Sequence, residues 1–292
     1  MLKSKRSEIL AAVILVAPFV AVYGWLFIYP TVQMVVLSFT NAPLIGEGDW
    51  VGLKNFQKLF TDRVFKTAVW NTFYFVLLTV APGTLIGLVI AMMVSRLRGW
   101  MQSSILAAFF LPFILPVSVI YLIWNWIFDL QFGLAEYIIE PIWGERVAVF
   151  RQADWFLPAA AMVTIWWTNG FNILLFLAGL KNIPSELYEA AEIDGAGRWT
   201  QFTKITWPLI WPVTALVLTI QLILQLKIFD QVYLFSLGGR TNTTMVLVQY
   251  VYTQAFVNNK GGYGATVALA LFLIIVVVSI LQYQLLRARG EK

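Results

Sequence analysis

Six long apolar stretches decide what this chain can become. They cover residues 9–27, 72–94, 105–127, 156–180, 209–235 and 265–286, each bounded by charged or turn-forming residues. A helix needs about 20 apolar residues to cross a bilayer, and every stretch is long enough. Inside lipid no water satisfies peptide groups, so each stretch must fold as a helix that bonds its own backbone. Six crossings and their connections occupy most of the 292 residues and leave no room for a large soluble domain. Composition agrees, since 60% of residues are hydrophobic and only 12% are charged, far from the soluble average. The expected fold class is an all-α membrane protein with six transmembrane helices.

Lysine and arginine set the orientation. Lys3, Lys5 and Arg6 precede the first stretch, Arg96 and Arg98 follow the second, Lys181, Arg198 and Lys204 separate the fourth from the fifth, and Arg287, Arg289 and Lys292 follow the sixth. Positive charge thus marks alternate loops, which places those loops and both termini in the cytoplasm. Lys54, Lys58, Arg63 and Lys66 lie in the first outer loop, but there Glu47, Asp49 and Asp62 are mixed with them. The net charge of +5 belongs to this topology signal and implies no nucleic-acid partner. The basic start and first apolar run contain no small-residue cleavage site before Pro30, so they read as a retained signal anchor. The expected organisation is residues 1–66 as an N-terminal helix with an outer loop, then 67–287 as a five-helix core with a cytoplasmic loop at 181–207.

The outer segments differ. Residues 41–66 carry Pro43, Gly46, Gly48 and Gly52 and read as a structured loop with a short amphipathic piece around Phe56, Leu59 and Phe60. Residues 129–154 mix Phe132, Tyr137 and Trp143 with acidic residues and should lie along the outer interface. Pro18, Pro82, Gly83, Pro112, Pro116 and Gly170 inside the spans imply kinks or unwound turns. No internal repeat supports two inverted halves.

The chain has no Cys and no His. That excludes disulfides, thiolate nucleophiles, iron–sulfur clusters and the usual zinc sites, together with the commonest general base. A membrane-embedded enzyme, such as a lipid-linked sugar transferase, would have to work with carboxylates, Lys or Tyr, and the acidic residues here are scattered.

The polar interruption at 181–207 is built differently from the other loops. Pro184 can open a helix, where its missing N–H is not needed, and Gly195 can end it in a left-handed conformation. Between them Leu187, Ala190 and Ala191 are expected on one face, Glu186 and Glu189 on another. Methyl groups allow close approach to a partner backbone, and a neighbouring carboxylate can find a basic or amide group there. Trp199, Phe202 and Thr206 then recur at helical spacing, so a second short helix should hold the loop against the base of its own bundle. The plain alternative is an amphipathic helix pair solvated on its charged face.

The full pattern favours the first reading. Glu189-Ala190-Ala191, two residues, Asp194-Gly195-Ala196, five residues, Phe202, two residues, Ile205, two residues and Pro208-Leu209 resemble the signature loop of permease subunits of binding-protein-dependent ABC importers. Tyr29-Pro30, Ser38-Phe39, the run Val51 to Phe56, Asn71-Thr72, Phe110-Leu111-Pro112, Trp124, Phe128, Ala178-Gly179-Leu180, Ile183-Pro184, Phe229-Asp230 and Gly238-Gly239 extend the resemblance to the carbohydrate branch, the maltose and glycerol-phosphate type. Arg240 and Lys227 depart from that branch, where a proline and an uncharged residue are common. The resemblance implies a type I ABC importer permease fold, with Glu186, Glu189, Ala190, Ala191, Asp194, Gly195 and Arg198 coupling the chain to an ATPase subunit. It also implies a second homologous permease subunit, two ATP-binding subunits, an extracytoplasmic sugar-binding protein and an inner-membrane location in contact with lipid. No Gly-rich phosphate loop ending in Gly-Lys-Ser/Thr occurs in the chain, so ATP and magnesium are expected on the partner and no cofactor on this chain.

Polar residues within spans are costly and mark candidate solute contacts. The fifth stretch carries Gln221 and Gln225 on one side of an ideal helix, with Lys227, Asp230 and Gln231 roughly opposite. Amides donate and accept at once and suit hydroxyl-rich sugars, which favours Gln221 and Gln225. Lys227 either neutralises Asp230 one turn away or faces the path of an acidic sugar. In the fourth stretch Asn169 and Asn172 flank Gly170 and either line the path or bond helix to helix. The rival class is an ion-coupled secondary carrier, which would place a carboxylate pair at mid-membrane.

Overall fold

The computed structural model describes residues 2–144, 148–236 and 242–290. Gly238, Gly239, Arg240 and Lys292 lie outside the described residues, as do the side chains of Lys3, Lys5, Arg6, Trp143, Arg287 and Arg289. Among the described residues there is no β-strand, only an isolated bridge between Thr40 and Trp50. The chain divides into two compact units. One comprises the residues up to Asp62 with Tyr250–Phe272, and the other Arg63–Gln249 with the chain from Leu273 onward.

In the first unit, α1 (Leu2–Tyr23) passes through a π-helical turn at Gly24–Ile28 into α2 (Tyr29–Leu37). The span therefore runs over Ile9–Leu37, ten residues beyond the end expected from sequence. Pro30 explains both features. A proline ring clashes with the carbonyl four residues back, here that of Leu26. The wider turn, closed by the Tyr29 N–H on the Gly24 carbonyl, makes room and lets the helix continue. The outer loop is then tied down by its own backbone, with Val51 N–H donating to the Phe39 carbonyl at 2.8 Å and Asn41 N–H to that of Asp49 at 3.0 Å. In α3 (Lys54–Thr61) Leu59 is buried and Phe60 exposed. Asp62 follows and accepts the hydroxyls of Tyr250 and, at 2.6 Å, Tyr263. Burial, reinforced by that carboxylate, pushes the Tyr250 hydroxyl above its ordinary titration range.

The second unit holds α4 (Arg63–Ser95), α5 (Gly99–Ile114), α6 (Val117–Ile127), α7 (Glu136–Trp143), α8 (Ala153–Lys181), α9 (Ser185–Ile193), α10 (Arg198–Gln201), α11 (Trp207–Leu226) and α12 (Asp230–Phe235). Two further helices, α13 (Leu247–Tyr252) and α14 (Gly261–Gly290), have residues in both units. Helix α8 is the hub, packed by α4, α5 and α11. Leu88, Ala91 and Val94 of α4, Ile173, Phe176 and Leu177 of α8, and Ile210 and Val217 of α11 share one buried cluster. Residues Val76, Val80 and Leu226 form another, with Ile275 and Val278 of α14 against it.

Two spans of this second unit are broken where the sequence predicts one continuous helix. The third is broken at Leu115-Pro116, where α5 and α6 meet at 101°. Proline cannot donate and disfavours helical geometry in the residue before it, and Leu115 accordingly adopts ψ 139°. Its carbonyl is satisfied by the indole N–H of Trp167 at 3.1 Å. The fifth stretch does not form one helix over 209–235, because α11 ends at Leu226 and a new helix begins at Asp230. Before it, a second π-helical turn, Phe202–Thr206, joins α10 to α11 just ahead of Pro208. By contrast α4 runs through Pro82 and α8 through Gly170 without interruption. Gly170 is a close-approach position: a Cβ there would collide with the Phe109 carbonyl of α5.

Candidate functional site

The loop after α8 folds as a tight hairpin. Pro184 stands at the N-cap of α9 and Glu186 in its first turn, where a carboxylate complements the helix dipole. At the other end Gly195 adopts φ +76°. The Ala196 N–H bonds the Ala191 carbonyl at 2.8 Å and the Gly195 N–H that of Glu192 at 3.0 Å. This paired closure is the Schellman arrangement that requires a left-handed residue at its corner.

Leu187, Ala190 and Ala191, expected together, are divided. Ala191 turns inward and is half-buried with Tyr188, whose hydroxyl lies 2.8 Å from Thr206 Oγ1. Leu187 and Ala190 stay exposed beside Glu186 and Glu189, and Ile193 joins them at 86% exposed. Asp194 and Arg198 are exposed as well. The hairpin thus presents apolar side chains flanked by carboxylates while a partly buried hydroxyl pair fastens its back. Phe202 and Thr206 hold the second arm inward, but Trp199 remains 75% exposed, its ring 5.6 Å from that of Phe202. Tyr188 and Ile193 are the residues missed at the sequence level, and the three-residue step from Tyr188 to Ala191 was the available signal for the inward face.

Deep between α8 and α11 four amides form a relay. Asn172 Nδ2 donates to Asn169 Oδ1 at 3.1 Å, Gln221 Nε2 to Asn172 Oδ1 at 2.7 Å, and Gln225 Nε2 to Gln221 Oε1 at 3.1 Å. All four side chains are buried. The run has a direction, each amide using its carbonyl to receive the next. It ends at Gln225 Oε1, which is buried and has no hydrogen-bond partner among the described residues. An amide oxygen left without a donor in such surroundings costs about 1–3 kcal/mol, so the relay is complete only when a donor arrives.

Lys227 caps the end of α11 and Asp230 opens α12; both are exposed and no ion pair joins them. The break between the two helices removes the common helical wheel on which Lys227, Asp230 and Gln231 were placed opposite the glutamines.

The family described as "Binding-protein-dependent transport system inner membrane component" matches residues 83–290. The chain belongs to this family. Among curated relatives of this binding-protein-dependent permease, the sulfoquinovosyl glycerol transport system permease protein SmoG of Agrobacterium fabrum is 30% identical over 96% of this chain and 91% of its own. The arabinooligosaccharides transport system permease protein AraP of Bacillus subtilis is 33% identical over 92% of this chain and 86% of its own. The crystal structure of a bacterial alginate ABC transporter, in complex with an alginate pentasaccharide-bound periplasmic protein, superposes with a TM-score of 0.86 over 99% of this chain and 97% of that chain, at 22% identity. The fold is that of a type I ABC importer permease, and the protein is a multi-pass component of the inner membrane.

Proposed function

We propose that this chain forms half of the translocation path for a sugar, paired with a second permease subunit, driven by two ATP-binding subunits and supplied by an extracytoplasmic binding protein. The observation that carries the reading is the α9 hairpin: its outer face combines exposed Leu187, Ala190 and Ile193 with exposed Glu186 and Glu189, while Tyr188 and Thr206 lock its back. A face of this kind fits a groove that is apolar at its floor and basic at its rim, and the lock lets force pass into α11. Asp194, Gly195 and Arg198 shape the turn behind it. In this reading residues 181–207 and both termini face the cytoplasm, ATP and magnesium belong to the partner, and the chain itself carries no catalytic residue.

The path runs along the amide relay. Asn169, Asn172, Gln221 and Gln225 offer donors and acceptors without charge, and Gln225 Oε1 awaits a donor such as a sugar hydroxyl. Lys227 and Asp230 stand at the end of α11, free of each other, to meet the solute as it passes. Within the described spans the sequence places no Asp or Glu between Arg63 and Ser95 or between Arg198 and Leu226, so a mid-membrane carboxylate pair of the kind an ion-coupled carrier needs is not supplied by these helices. The names of the relatives support a carbohydrate as cargo.

The test is Glu189→Lys, which sets like charge against a basic groove. Membrane insertion should persist while the ATPase subunits no longer co-purify and uptake fails; retained subunits with normal uptake would remove α9 from the docking role. Orientation is read with cysteines placed in this Cys-free chain. An impermeant thiol reagent should label Gly48→Cys and spare Gly197→Cys in intact cells.

A further inference from the structure

Behind α9 lies a cleft of about 510 Å3 whose lining includes Arg96, Lys181, Arg198, Glu192, Tyr188 and Thr206. Three cations thus share one space with a single carboxylate. None of the three forms an ion pair or a side-chain hydrogen bond among the described residues, and Glu192 is likewise unpaired. Even if Glu192 offsets one charge, two remain, and an anion seated between these exposed cations would be attracted by both. The back of the cleft is polar too. Tyr188 and Thr206 lie 2.8 Å apart and either can donate, so their mutual bond uses one hydroxyl proton and leaves the other for a guest. A phosphate carries negative charge and has oxygens enough to accept from ammonium, guanidinium and hydroxyl at once.

Position narrows the source. Arg96 directly follows the span Arg63–Ser95 and Lys181 closes the span Ala153–Lys181, so both stand where a helix leaves hydrocarbon, at headgroup depth. We propose that this cleft binds the phosphate of an anionic phospholipid of the inner leaflet and that the bound headgroup braces α9 against the ends of α4 and α8. The proposal rests on the reading above that this end of the unit faces the cytoplasm, where anionic lipid attracts basic residues at the membrane surface. Arg98, two residues from Arg96, belongs to the same loop charge but does not line the cleft, and it separates a built site from a general topology signal.

The experiment uses the full-length permease purified with its co-assembling subunits and placed in nanodiscs of phosphatidylcholine alone or with phosphatidylglycerol. Phosphatidylglycerol should raise the thermal unfolding midpoint. The double variant Arg96→Gln/Lys181→Gln should lose most of that rise, and its affinity for short-chain phosphatidylglycerol in detergent should fall roughly thirtyfold, the value for two cations at a membrane surface. Arg98→Gln should keep both. No rise in the wild-type protein, or an equal loss in Arg98→Gln, overturns the site. Inorganic phosphate titrated into phosphatidylcholine discs is the second arm: if it reproduces the rise and phosphatidylglycerol does not, the lipid assignment is overturned. Should the double variant not accumulate, Lys181→Gln alone, with rescue by Lys181→Arg, gives the same decision. External labelling of Gly197→Cys would overturn the orientation while leaving phosphate binding in detergent unchanged, so the two failures are told apart.

Discussion

The α9 hairpin and the amide relay use polar residues in opposite ways. On α9 the carboxylates of Glu186 and Glu189 and the apolar Ile193 all point away from the protein, and the packing spent on the helix is a single inward edge at Tyr188 and Ala191. In the relay every polar side chain is buried and bonded to the next, apart from one oxygen at Gln225. The first region is unfinished on its whole outer surface and the second at one atom. A surface that waits for a protein partner can stay solvated at little cost, whereas an unmet group between membrane helices cannot. Under the proposed function, the first gap would take a macromolecule and the second a single hydrogen-bond donor.

The comparison breaks most sharply at Gly195. Valine there would have to hold φ near +76°, a conformation that costs a β-branched residue about 1–3 kcal/mol locally. The Schellman closure would open and α9 would lose its aim. Uptake in cells making Gly195→Val should drop to background while the protein still reaches the membrane; normal uptake would show that the turn carries no coupling.

Asn172→Leu comes next, because it strips a partner from both Asn169 and Gln221. Hydrogen bonds between membrane helices average less than those in water-soluble cores, so the two together should lower stability by about 1–2 kcal/mol, read as detergent-purified yield and unfolding midpoint. Gln225→Leu removes only the last member of the relay and its orphaned oxygen along with it. Its stability cost should be below about 1 kcal/mol, and the main effect should fall on transport. If Gln225→Leu destabilises as much as Asn172→Leu, the relay is purely structural and not part of a path.

The smallest effect on folding is expected at Lys227. It is exposed and makes no pair with Asp230, so Lys227→Met should shift stability by no more than about 0.5 kcal/mol. Any loss of uptake in that variant then reports on the solute. Loss confined to an anionic sugar would place Lys227 beside the path, and a loss of yield rescued by adding Asp230→Asn would restore the ion pair that the structure lacks.

How far the sequence could be read differs between these elements for physical reasons. The turn at Gly195 was legible because proline, small residues and glycine at fixed spacing act through local backbone geometry. The ends of the first and fifth spans were misplaced, since Pro30 and Pro208 look like helix stops until a π-helical turn absorbs each ring clash. The split of Leu187 and Ala190 from Ala191 depends on where Thr206 sits, and no local rule contains that contact.

Hydropathy, the placement of lysine and arginine and one spaced motif were enough by themselves to read a six-stretch membrane permease with a helical hairpin between its fourth and fifth stretches, because those signals are written in local composition and period. Which amide meets which, that the third span bends by 101° around a carbonyl held by Trp167, and that three cations close on one cleft were decided by the tertiary structure alone. They depend on distances between residues far apart in the chain, and only the packing of α4, α8 and α11 sets those distances.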